Sequence, residues 1–281
     1  MIIGLHHVTA TVADAQQDLD FCLSALGMRL VKKTVNFDNH GVYHFYYGDE
    51  RGSPGSIWTT FPYAGLGVPQ GMKGEGQVTT TSLSVPAGSL DYWKARLADH
   101  GIAAVSGSPR FGEEVLAFDD PSGLHFELVA SARDSRAPWL GGNVEAAAAV
   151  RGLHGVTLTV ARPEPSVRLM TELLDFRVVS EAEGHIRVGA GGDGPGHTID
   201  LVHGTGAGPA RNGLGTVHHV AMAVDSAEAQ RRLREALIAR GLGVTDVLDR
   251  LGRDLKLPPW EEGSRAGIEA RLPAIRYVLS G

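Results

Sequence analysis

The residues with the most chemical reach are two histidine pairs, His6-His7 and His218-His219. Each stands in an apolar run, Leu5-His6-His7-Val8-Thr9 and Val217-His218-His219-Val220-Ala221. Side chains alternate faces along a strand. One histidine of each pair is therefore expected to point into a given cavity, with its neighbour turned away or supporting it from the rim. If the two strands lie side by side, His7 and His219 converge on one point. Two converging imidazoles begin a transition-metal site, and an open catalytic iron site adds one carboxylate.

The elements that must position these residues come from a chain of 281 residues with a net charge of −6 and one cysteine, Cys22. The charge gives no basic patch, so nucleic acid is not an expected partner. A single cysteine excludes an internal disulfide and a cysteine-rich zinc site and suits a reducing compartment. Cys22 follows Phe21 in an amphipathic pattern and reads as a buried thiol. No apolar run reaches the roughly 18 residues of a membrane span, and the N-terminus lacks a signal-peptide pattern. A cytoplasmic protein is expected.

One unit repeats along the chain: strand, helix, three strands. It reads as 5–12, 14–26, 29–36, 43–48 and 56–61, then as 78–85, 89–100, 103–106, 114–119 and 124–129. A third copy reads 153–160, 165–174, 177–182, 185–188 and 198–202, and a fourth opens with 216–224, 227–240 and 243–249. Glycine-rich linkers at 65–76 and 204–213 separate units, and 131–149 separates the halves, with a helix-like stretch at 144–150. The fold class expected is α+β, four tandem βαβββ modules with the fourth truncated, forming two barrels of curved sheet. Units one and four should pair, as should units two and three. The domains are 1–140, 150–250 and a tail at 251–281.

The fourth unit stops early. After Arg250 the chain reads Leu251-Gly252-Arg253-Asp254-Leu255-Lys256-Leu257-Pro258-Pro259-Trp260, a turn and a proline break in place of alternating strand pattern. The stretch 261–272 is helical in character, and only 275–279 suits a short strand. Unit one should thus be left with an open edge, which favours a homodimer.

The motifs resemble the vicinal oxygen chelate superfamily, the group of glyoxalase I, bleomycin-resistance proteins and extradiol dioxygenases. Within it they are most similar to ring-cleaving dioxygenases of hydroquinones. The resemblance rests on Gly4-Leu5-His6-His7-Val8-Thr9, on Leu30-Val31-Lys32-Lys33-Thr34-Val35-Asn36-Phe37-Asp38, on Tyr43-His44-Phe45-Tyr46-Tyr47-Gly48-Asp49-Glu50 and on Pro54-Gly55-Ser56-Ile57. It continues in Phe111-Gly112-Glu113 and in Asp119-Asp120-Pro121-Ser122-Gly123-Leu124-His125. It implies that His7 and His219 are metal ligands, that His6 is an acid/base residue beside them and that Thr9 lines the pocket. The cofactor implied is Fe(II), with Mn(II) as the alternative, and the substrates are a small hydroquinone- or catechol-like aromatic and O₂. The family's third ligand, a glutamate on the last strand of the fourth module, has no counterpart, as if the chain were deleted between Arg250 and Leu251.

Four carboxylates are open as replacements for that glutamate. Glu269 has the spacing but a helical setting, Glu261 and Glu262 follow Pro258-Pro259-Trp260, and Glu127 ends the last strand of unit two. Glu127 is expected to face His154, near Asp200, in a second, vestigial pocket, where it reads as a relic or as one half of a salt bridge. His44, His125, His185, His197 and His203 read as surface or hydrogen-bonded histidines. Two further readings compete with the dioxygenase: a non-oxidative enzyme of glyoxalase type, and a binding module that has lost its metal. Iron content and oxygen uptake separate them.

Overall fold

Each module folds for reasons visible in its residues. The first begins with β1 (Ile2–Val12) and turns at Asp14, whose carboxylate accepts from the amides of Gln16 and Gln17 and so caps α1 (Ala15–Leu19). The helix continues as a wider π-helical turn over Asp20–Ala25. It ends at Gly27, where φ is +67° and a Cβ would lie 2.5 Å from Val144 Cγ2. Only glycine suits that position. Three strands follow: β2 (Arg29–Val35), β3 (Tyr43–Gly48) and β4 (Ile57–Pro62).

The second module runs β5 (Gln77–Pro86), α2 (Leu90–Asp99), β6 (Ala104–Ser106), β7 (Glu114–Asp119) and β8 (His125–Ser131). The third runs β9 (Gly152–Val160), α3 (Pro163–Leu173), β10 (Arg177–Ala182), β11 (His185–Gly189) and β12 (Thr198–His203). The fourth gives β13 (Thr216–Val224) and α4 (Ala227–Ala239), and a short α5 (Arg265–Glu269) lies further on. The computed structural model describes residues 1–182, 184–204, 206, 208–245 and 263–270. The expected strand at 243–249 is not formed over 243–245, and the rest of it lies outside the described residues, as do Glu261, Glu262, Trp260 and the stretch 275–279. The helix-like stretch at 144–150 is a turn, closed by the amides of Ala148 and Ala149 on the Glu145 carbonyl.

The strands form two mixed sheets, in the orders β13-β1-β4-β3-β2 and β10-β11-β12-β9-β5-β8-β7-β6. Units one and four share the first sheet, and units two and three share the second. In each, the first strands of two modules run antiparallel: β1 beside β13, β5 beside β9. The halves are also tied reciprocally, because the Leu5 amide donates to the Gly196 carbonyl and the Leu153 amide to the Gly55 carbonyl, both at 2.8 Å. Strands β8, β7 and β6 flank β5 in the second sheet, whereas among the described residues nothing continues the first sheet beyond β13.

The core lies between the sheets and the helices. Trp58 and Phe126 meet edge to face with centroids 4.9 Å apart, and Phe21 and Phe118 pack on the same ring. Truncating such a buried aromatic costs about 3–5 kcal/mol. Cys22 is fully buried here.

Candidate metal centre

The histidine pairs meet as their spacing implied. In the antiparallel ladder His219 stands opposite Thr9 and His7 opposite Ala221. The Nε2 atoms of His7 and His219 are 3.1 Å apart. Two nitrogens, each about 2.1 Å from one ion, stand that far apart at an N–metal–N angle of about 95°. The pair therefore fits two neighbouring positions of a metal ion's coordination shell. The hydroxyl of Thr9 lies 3.0 Å from the same His219 Nε2, so one lone pair has two polar neighbours.

The partners of each pair do not turn away as simple alternation requires. The Nδ1 atoms of His6 and His7 are 2.9 Å apart, and those of His218 and His219 are 2.8 Å apart. The cause is the ladder. Its register shifts between Leu5 and His7 on β1, leaving His6 as an extra residue, and again between Thr9 and Ala10, where the extra residue is His218 on β13. Bulges of this kind re-aim side chains beside a site. They let each outer histidine hold Nδ1 of the inner one, which leaves the inner Nε2 to face the shared point.

Burial favours the neutral form of His6, His7 and His219. Burial first, then the neighbouring imidazoles of His219 and His6, lower the His7 pKa to about 4. Burial also lowers that of His6, and burial with His218 lowers that of His219. Neutral imidazole is the ligating form.

A polar row crosses the whole sheet at this level. Lys32 on β2 stands opposite Tyr46 on β3, Tyr46 opposite Thr59 on β4, Thr59 beside Thr9 on β1, and Thr9 opposite His219 on β13. His44 lies on the same face. Its Nδ1 is 3.0 Å from the Tyr46 hydroxyl and its Nε2 is 3.0 Å from the Thr59 hydroxyl, which is 2.7 Å from that of Thr9. His44 is thus a hydrogen-bonded histidine, one of the two readings its sequence allowed, and it is buried and joined through Thr59 and Thr9 to the site. Burial, then the Lys32 charge, lower its pKa to about 3.

The carboxylate is the part that does not assemble. Among the described residues no group of three or more histidine, cysteine, aspartate or glutamate side chains could hold a metal. Glu269 falls on α5, as the helical pattern implied. The donor set described is two neutral imidazoles with a hydroxyl beside them.

The second pocket is closed by ion pairs. Its strand Gly152-Leu153-His154-Gly155-Val156-Thr157 repeats the first strand with glycine where His7 stands. A Cβ at Gly155 would come within 2.9 Å of the Thr198 carbonyl oxygen, so no ligand side chain fits there. Glu127 does not face His154: Arg110 takes it in a two-point ion pair at 2.6 and 3.1 Å, and the Ser82 hydroxyl donates to it at 2.8 Å. His154 instead bonds Glu113 at 2.8 Å, and Arg187 bridges Glu113 and Asp200, each at 2.7 Å. Glu113 is held down at about 2: burial raises its pKa, and His154 and Arg187 outweigh that. Charge alternation within the separate strands gave no sign of this network, which joins four of them.

Comparison with known proteins gives the family and agrees with the fold. A family model, the Glyoxalase/Bleomycin resistance protein/Dioxygenase superfamily, matches residues 4–128 and 152–256. The chain belongs to this superfamily. MhqO of Bacillus subtilis, named as a ring-cleaving dioxygenase, is 40% identical over 248 residues, 88% of this chain and 78% of that protein. A second, MhqE, is 35% identical over 97% of this chain and 99% of its own length. That match runs over 306 aligned positions, more than the 281 residues here, so MhqE carries segments without a counterpart in this chain. The chlorohydroquinone/hydroquinone 1,2-dioxygenase of Sphingobium indicum is 34% identical over 89% of this chain and 78% of that enzyme. A solved dioxygenase-like structure from B. subtilis superposes with a TM-score of 0.84 at 35% identity, covering 98% of both chains. Maize glyoxalase I shares the fold, at a TM-score of 0.62 and 16% identity over 84% of this chain and 79% of that one. Among the described residues no helix is long and apolar enough to cross a membrane.

Proposed function

We propose that the protein is a ring-cleaving dioxygenase of hydroquinone- or catechol-like aromatics that holds Fe(II) through His7 and His219, with Mn(II) as the substitute. The observation carrying this is the 3.1 Å approach of the two Nε2 atoms from strands 212 residues apart in sequence. When bound, a divalent metal draws an aromatic hydroxyl and O₂ together and polarises both. The chain's own residues do the rest. His6 and His218 accept hydrogen bonds from the Nδ1–H groups of the ligands and hold their orientation, and His6 is the residue that the family resemblance assigns to moving a proton of the substrate hydroxyl. Thr9 offers its hydroxyl to an oxygen at the shared point. Phe61, packed against His44 and His218 with centroids 4.2 and 5.7 Å away, screens one side of the site from water. The domain division at 140–150, a cytoplasmic location and a homodimer belong to the same reading.

The site is weaker than that of a three-ligand member. Two neutral ligands do not offset the 2+ charge of the metal, and Fe(II) favours a hard anionic oxygen. Low affinity and slow turnover follow. Loading with Fe(II) under anaerobic conditions, followed by oxygen-electrode assay on a panel of hydroquinones, tests the reading. Iron-dependent uptake lost in His7→Ala and His219→Ala supports it, and uptake indifferent to iron contradicts it.

A further inference from the structure

The relay behind Thr9 has a direction, and the direction is fixed by chemistry. A hydroxyl carries one proton, so a run of hydroxyls can donate only one way along its length. As a ligand, His219 must keep Nε2 free of a proton. Thr9, 3.0 Å away, can then only donate towards that point. Its oxygen must accept from Thr59, and Thr59, 3.0 Å from His44 Nε2, must accept from a protonated Nε2. A neutral His44 with its proton there leaves Nδ1 to accept from the Tyr46 hydroxyl. The opposite tautomer reverses every bond and puts a proton on His219 Nε2, where the metal belongs.

We propose that Tyr46 and His44, through Thr59 and Thr9, are positioning residues that keep His219 Nε2 proton-free and aim the Thr9 hydroxyl at the point shared by His7 and His219. This rests on the metal-site reading above. Once a metal takes the Nε2 lone pair, the same hydroxyl is free to donate to an anionic oxygen beside it, which is the ionised hydroxyl of a hydroquinone-like substrate. The second sheet supplies the contrast. There Arg187 stands at the place of Tyr46, Asp200 at that of Thr59 and His185 at that of His44, and Thr157 and Thr80 complete the row. Arg187 and Asp200 form an ion pair, and His185 Nδ1 is buried without a hydrogen-bond partner among the described residues. The row that carries no ligand histidine has an ion pair where the row ending on His219 has an unbroken run of neutral donors and acceptors.

Two measurements on the full-length protein test this. In metal-free protein, the long-range ¹⁵N–¹H spectrum of the histidine rings reads the His44 tautomer. A proton on Nε2 is expected, and a proton on Nδ1 overturns the proposal. Titration with Co(II) reads the ligand directly. His44→Leu should weaken binding about tenfold, the lower end of what loss of a partner behind a ligand does. Tyr46→Phe should weaken it less. His44→Gln, whose amide N–H can still donate to Thr59, should recover most of the loss. Equal affinity in wild type and His44→Leu, or equal losses in the Leu and Gln variants, overturns the proposal. If wild type binds no Co(II), the metal-site reading fails, and the His44 tautomer alone still decides the direction of the relay.

Discussion

Arg187 in the second sheet stands where Tyr46 stands in the first: each faces a residue of its module's last strand, Asp200 or Thr59, that pairs beside a threonine of its module's first strand. One arrangement is an ion pair and the other a hydroxyl–imidazole relay. The same scaffold thus builds a closed pocket in one sheet and a site in the other, with Arg187 for Tyr46, Asp200 for Thr59, Gly155 for His7 and Thr80 for His219.

The closed pocket should be a stability element. Arg187 is the cation between Asp200 and Glu113, and its side chain is 7% exposed. Arg187→Met leaves the buried Asp200 carboxylate and the half-buried one of Glu113 without it, a change of about 3–5 kcal/mol in comparable cases. Denaturant unfolding of the variant should show a loss of that order. A loss below about 1 kcal/mol would mean that the pocket tolerates the charges.

The core carboxyl of Asp18 gives a pH signature. It accepts hydroxyl hydrogen bonds from Tyr47 and Thr60 at 2.7 and 2.5 Å. Burial raises its pKa to about 6 from 3.8, against the hydrogen bonds, which lower it. The folded state thus favours the protonated form, and its contribution is present below pH 3.8 and lost as the pH rises through 6. Asp18→Asn cannot ionise. Its stability relative to wild type should improve by up to about 3 kcal/mol between pH 3.5 and 7.5. The same difference at both pH values would contradict this.

His6 holds the Nδ1 of His7 at 2.9 Å. His6→Ala frees that nitrogen and the ring's rotation. Co(II) affinity should fall about 10–100-fold while His7 remains in place. An unchanged affinity would show that the bulge alone orients His7.

The edge of β13 bears on assembly. The second sheet covers the matching strand, β5, with β8, β7 and β6, and among the described residues the first sheet ends at β13. An unpaired strand edge recruits another chain unless it is blunted. Sedimentation velocity should give a species of twice the chain mass. A monomer across the micromolar range would contradict the dimer.

Much of this was legible in the sequence. Alternating strands, glycine helix stops and the recurrence of Gly4-Leu5-His6-His7 in Gly152-Leu153-His154-Gly155 specify modules that repeat, and the paired histidines marked where two of them meet. Register was not legible. Simple alternation puts His6 and His7 on opposite faces, and only the bulges bring their Nδ1 atoms together. Nor does the Thr59-Thr60 pair tell from its sequence that the Thr60 hydroxyl bonds Asp18 while that of Thr59 joins the row. The link from Tyr46 and His44 to the site was not legible because it passes through Thr59 on β4 to Thr9 on β1, and Arg110 and Glu113 escaped notice because their partners lie up to 90 residues away, on β8, β9, β11 and β12.

The central claim is that His7 and His219 hold a catalytic metal without the family's carboxylate. It is tested most directly by the rate of O₂ uptake on a hydroquinone after anaerobic Fe(II) loading, compared with an intact three-ligand relative. The account predicts iron-dependent uptake that disappears in His7→Ala and in His219→Ala, at a rate below the ordinary enzymatic range of roughly 1–10³ s⁻¹. Turnover within that range would contradict the two-ligand site and point to a replacing carboxylate, with Glu269→Gln as the first variant to read. Uptake that survives both histidine substitutions would contradict the site altogether.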